Sequence, residues 1–146
     1  LIFTSALVLA DIAGIKKTDK SKSAAMEAYE EAIDIGKKLG VTEDEYYVKG
    51  IHAFGLFHFL TLENMDDASG FFLEAKVGYE ALGMTDSVFY MMGSMQAALT
   101  LCQAEEKKDI KKAIACLKDC IEACESSGKD DIKGNAESIL NQLKEA

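Results

Sequence analysis

No arginine, proline or tryptophan occurs in this chain of 146 residues, and each absence narrows what the protein can be. Without arginine, all 16 basic residues are lysines, set against 25 acidic residues for a formal charge of -9. Nucleic acid attracts clustered positive charge, and its base edges are commonly read by arginine forks, so the composition points away from nucleic acid as a partner. Without proline, and with abundant alanine, lysine, glutamate and leucine, little interrupts helices. Long apolar runs are missing too. The longest are LIFTSALVLA at 1–10 and IHAFGLFHFLTL at 51–62, both far short of the ~20 residues that span a bilayer, so no membrane insertion is expected. The first run has no charged segment before it and continues into Asp11, Ile12 and Ile15 at helical spacing; a helix is expected there rather than a signal remnant. The four cysteines include no C-x-x-C pair, so no disulfide framework is expected, and a reduced, cytoplasmic setting fits best.

What is present is a repeat. KKLGVTEDEYYVKG at 37–50 returns as YEALGMTDSVFYMMG at 79–93, in the shared frame L-G-x-T, seven residues, then glycine. Gly40 and Gly83 stand where a helix leaves through a left-handed backbone, and Thr42 and Thr85 are placed to cap the helix that follows. Thr42 with Glu45 has the spacing of a capping box, and Val41 and Met84 are placed to staple onto Tyr46 and Phe89. Upstream, three segments align, each closed by glycine: AMEAYEEAIDIGKKLG at 25–40, ASGFFLEAKVGYEALG at 68–83 and AIACLKDCIEACESSG at 113–128. Small residues at Ala25, Ala68 and Ala113 recur at Ala32, Ala75 and Cys120, with Tyr29, Phe72 and Leu117 between them. On a helix that alternation lies along one face, where small residues admit a neighbour and the bulky one fills the gap beside it. The closing glycines at 40, 83 and 128 are spaced by 43 and 45 residues, a helical-hairpin period. Seven helices are predicted, at about 2–15, 22–38, 43–62, 66–82, 86–105, 109–126 and 130–145, the last capped by Asp130.

On these residues the chain resembles the tetratricopeptide-repeat family in a long-period form. The small-bulky-small pattern of each second helix supports the resemblance, as does a small residue in each first helix, Gly55 in one copy and Ala98 in the next. HEAT and armadillo arrays share the period and are the structural alternative. The resemblance implies an all-α fold: an α-solenoid of three antiparallel helix pairs over 1–40, 41–83 and 84–128, with a capping helix over 129–146, in one domain.

Candidate chemistry is sparse. Cys116, Cys120 and Cys124 share one helical face, but the outer pair rises about 12 Å along the helix. One tetrahedral zinc, with bonds near ~2.3 Å, cannot take all three. Cys116 and Cys120 align with Ala28 and Ala32, so they read as small core residues rather than as metal or redox groups. His52 and His58, the only histidines, lie six residues apart with no ligand frame and read as satisfied packing residues. Acid pairs sit on solvated faces or at predicted helix starts, where they complement the helix dipole. No phosphate loop or nucleophile elbow is present. No catalytic constellation, metal site or cofactor is expected.

The resemblance implies instead a concave groove lined by the first helix of each pair. Carried over residue by residue, its positions are Lys49, His52, Leu56, Phe59 and Leu60, then Met92, Met95, Leu99, Cys102 and Gln103. Leu56 and Leu99 stand where carboxylate-clamping members place asparagine, so a clamp for a peptide terminus is not expected. A mainly apolar, methionine-rich groove on an acidic protein suits a protein or peptide partner with apolar anchors and basic flanks. The expected function is therefore a protein-interaction scaffold. The alternative is a structural module that self-associates as a homo-oligomer or docks onto a neighbouring domain.

Overall fold

The glycines set the chain's punctuation. The computed structural model describes residues 19–145, and in it Gly40, Gly83 and Gly128 all take φ near +70°, a conformation that costs other residues strain. Behind each, the next residue's amide reaches back five positions: Val41 to Gly36, Met84 to Tyr79 and Lys129 to Cys124, at 2.9–3.0 Å. These Schellman closures satisfy carbonyls that a helix end would otherwise leave bare.

Six helices lie among the described residues: α1 Asp19–Lys38, α2 Glu45–Leu60, α3 Met65–Ala81, α4 Val88–Gln103, α5 Ile110–Ser127 and α6 Asp130–Glu145. The fold is all-α, and each helix packs chiefly against its neighbour in sequence. The helix expected over 2–15 lies outside the described residues. The other six match the predicted ones within a few residues, with an instructive displacement at two starts. Thr42 and Thr85 do not cap. Each lies inside a turn closed by Asp44 N–H to Val41 O or Ser87 N–H to Met84 O, at 2.9 and 3.0 Å. The caps are Asp44, which accepts from the Tyr46 amide at 2.8 Å, and Ser87, which accepts from the Phe89 amide at 3.2 Å. Asp130 likewise is the first helical residue of α6 rather than its cap.

All nine residues of the small-bulky-small pattern are buried, Phe72 and Leu117 completely. Burying one such side chain contributes on the order of 1.5–3 kcal/mol. One apolar cluster runs from Ala32 of α1 through α2–α5 to Ala136 and Leu140 of α6, and a second, of Ala25, Tyr29, Phe54 and Phe57, joins α1 to α2. The α2–α3 pair is antiparallel and very close. Gly55 backs onto Phe72 and Gly78 onto Val48, each with too little room for a β-carbon. Among the described residues no helix is long and apolar enough to cross a membrane.

Candidate partner-binding surface

Helices α2 and α4 are tied together by polar contacts. His52 on α2 bridges both neighbours. Its Nε2 lies 2.7 Å from Gln96 Oε1 on α4, and its Nδ1 lies 3.0 Å from the Tyr79 hydroxyl on α3. Because an amide oxygen only accepts, Nε2 carries the proton and donates, and the Tyr79 hydroxyl donates to Nδ1. Burial pushes the Tyr79 phenol up and the His52 imidazole down, which keeps both in the neutral forms this chain of bonds needs. One turn earlier, Lys49 places its ammonium 4.6 Å above the Phe89 ring of α4, a cation–π contact worth roughly 0.5–1 kcal/mol when exposed. Its ion pair with Glu45, at 3.8 Å and half in solvent, adds little.

The expected groove positions divide by depth. His52 and Met95 are buried, at 5% and 8% exposure, so their side chains lie beneath the surface rather than on it. Lys49, Leu56, Phe59, Met92, Leu99 and Cys102 are half-buried, and Leu60 and Gln103 are exposed at the ends of their helices. Phe59 rests edge-on against Phe72, with ring centroids 6.1 Å apart. Two aromatics join this surface that the groove reading left out. Tyr46 and Phe89, expected as staples against Val41 and Met84, are 63% and 49% exposed. With Asp44 and Ser87 as caps, they fall at the second helical position, where a staple does not form. The signal that marks them is their identical place in the two repeats, 43 residues apart.

Elsewhere one charged cluster and the buried thiols have structural surroundings. Lys76, nearly buried, donates to Glu80 at 3.0 Å and to Asp119 on α5 at 2.8 Å, and the Tyr90 hydroxyl donates to the same Glu80 at 2.7 Å. Burial alone would lower the Lys76 ammonium, but the bonds to Asp119 and Glu80 outweigh it and hold it above its ordinary range. Beside this network a cavity of about 330 Å³ is lined by Tyr90 and the carboxylates of Glu80, Asp86, Asp119 and Glu122. Cys116, Cys120 and Cys124 are buried, with the Cys120 thiol donating to Met91 O at 3.3 Å. Burial pushes the Cys120 thiol up to about 12, far from a reactive thiolate. Among the described residues no three histidine, cysteine or carboxylate side chains stand where they could hold one metal ion.

The two histidines part company. His52 is the satisfied packing residue that the sequence suggests for both. His58, 2% exposed, has no hydrogen-bond partner on either ring nitrogen. Comparison with known proteins adds no relative: no family model, curated protein or solved structure matches the chain.

Proposed function

We propose that the chain is a tetratricopeptide-like helical array that acts as an interaction scaffold. It holds an amphipathic segment of a partner protein along α2 and α4. The observation that supports this reading is the pairing of Lys49 with Phe89 and of His52 with Gln96, which sets α2 and α4 side by side. Along them Leu56, Phe59, Met92 and Leu99 offer half-buried apolar contact, with Tyr46 and Phe89 exposed at one end. His52 and Met95 support this surface from below. Methionine and aromatic side chains adapt to an apolar helix face, and the charge of -9 favours basic flanks on the partner.

The test is selection of helical peptides from an amphipathic library, followed by titration of the selected peptide against wild type and a Met92→Glu, Leu99→Glu variant. Both residues are half-buried, so the variant is expected to stay folded by circular dichroism, whereas Met95→Glu would place a charge in the core. Peptides that bind wild type and lose at least about tenfold on the variant support the reading. Equal binding to the two proteins contradicts it.

Self-association is the second reading, favoured by Leu39, Leu60 and Val77, which expose more than 60% of their surface. A sedimentation coefficient that stays at the monomer's value as concentration rises rules it out.

A further inference from the structure

His58 lies where α1, α2 and α3 meet, enclosed by phenylalanine rings. Phe54 meets it edge-on at 4.6 Å, Phe71 stacks on it at 5.2 Å, and Phe57 lies at 6.1 Å. Neither ring nitrogen has a partner in the protein. A buried polar atom left in that state is costly, and the other histidine, His52, avoids the cost through Gln96 and Tyr79. The imidazole also lines a cavity of about 360 Å³ with Met26, Ile33, Phe54 and Phe71 as apolar walls. Its charged lining is three carboxylates, Glu30, Asp34 and Asp67, against one ammonium, Lys37. Asp34 is occupied by Lys38 at 2.9 Å, and one oxygen of Asp67 by the Asn64 amide at 2.8 Å. Glu30, and the second oxygen of Asp67, have no side-chain hydrogen bond or ion pair among the described residues.

We propose that this pocket binds an organic cation, an ammonium or guanidinium group on an apolar stem. Glu30 and Asp67 hold the charge, Phe54, Phe71, Met26 and Ile33 take the stem, and His58 accepts a hydrogen bond from the head group. Each feature supports a different part of that ligand. The carboxylates select positive charge, the aromatic walls favour a flat or alkylated cation by cation–π contact, and the orphan imidazole supplies an acceptor that only an incoming donor satisfies. Burial holds His58 below its ordinary value, so the ring is neutral and able to accept near neutral pH. The pocket is lined from α1, α2 and α3 by residues other than those of the proposed groove, so its ligand site is distinct from the scaffold surface.

Butylguanidinium and butylurea have nearly the same shape and differ in charge, which makes them the probes. In an NMR titration, butylguanidinium is expected to shift the His58 and Phe71 ring signals saturably, with butylurea at least about tenfold weaker. Glu30→Gln with Asp67→Asn removes the charge selection. His58→Phe keeps an apolar ring in place and weakens the cation about tenfold. Acidification through His58 protonation also weakens it. An acetylated arginine amide that binds as well as butylguanidinium makes a partner's side chain the source; failure of the amide beside binding of the free cation makes it a small molecule. Equal affinity for butylurea, undiminished binding to His58→Phe, or shifts confined to residues outside the pocket would overturn the proposal.

Discussion

Gly78 presses against Val48 so closely that a β-carbon on the glycine would lie 2.8 Å from both valine methyls. Near the other end of the same helix pair, a β-carbon on Gly55 would lie 2.9 Å from two ring carbons of the fully buried Phe72. Neither neighbour can withdraw into solvent, so two helical glycines that cost propensity are kept for the approach of α2 and α3.

Alanine at either position therefore gains up to ~1 kcal/mol of helix propensity but meets an overpacking cost of about 1–3 kcal/mol. Chemical denaturation is expected to show net destabilisation for Gly55→Ala and Gly78→Ala. Gly134 in α6 has nothing within 4 Å of the same position, and Gly134→Ala is expected to stabilise by about 0.5–1 kcal/mol. A gain at all three positions would mean that the α2–α3 contact is looser than described.

Acid is expected to weaken the fold through its histidines. Burial lowers both imidazoles; His58 is pulled back in part by Asp67 and Glu30, and Asp34 and Lys37 of α1 also face its cavity. A folded-state value below the unfolded one, near ~6.5, means that the unfolded chain binds the proton more readily. Stability is then full above that value and declines as pH falls below it. Urea midpoints measured from pH 8 to pH 5 should show this decline, and His58→Phe should flatten part of it. An unaltered slope in that variant would count against the buried, unpaired imidazole.

Much of the architecture was legible in the sequence because its signals are local. The closing glycines, the 43-residue period and the slots at Ala68, Phe72 and Ala75 each depend on one helix and its nearest turn. Helix starts were displaced because Thr42 and Asp44, or Thr85 and Ser87, can both cap, and the turns from Val41 and Met84 decide between them. That displacement exposes Tyr46 and Phe89. The contrast between His52 and His58 was not legible at all, since it depends on what Tyr79 and Gln96 bring to one ring and three phenylalanines fail to bring to the other.

Lys76 joins α3 to α5 through Asp119, with Glu80 and the Tyr90 ring completing its surroundings. The two carboxylates are partly in solvent and can rehydrate, so Lys76→Met is expected to cost only about 1–2 kcal/mol, less than removing a partner from a fully buried pair. A loss of that size, with the melting transition still cooperative, fits a local clasp. A neutral or stabilising result would show that the apolar stem of Lys76 contributes more than its charge.

The thiols should differ in reactivity by depth. Burial raises all four, Cys120 to about 12, but only Cys102 is half-exposed. Iodoacetamide on the native protein is expected to label Cys102 first, with Cys116, Cys120 and Cys124 reacting only on unfolding, as mass spectrometry of timed samples would show. Early labelling of Cys120 would contradict its place in the core.

The most direct test of the scaffold reading is hydrogen–deuterium exchange on the complex with a selected amphipathic peptide, run beside the Met92→Glu, Leu99→Glu variant. The account predicts new protection in α2 and α4, around Lys49, Leu56, Phe59, Met92 and Leu99, and none in the folded variant. Protection elsewhere, or the same protection in both proteins, would place partner binding on another surface.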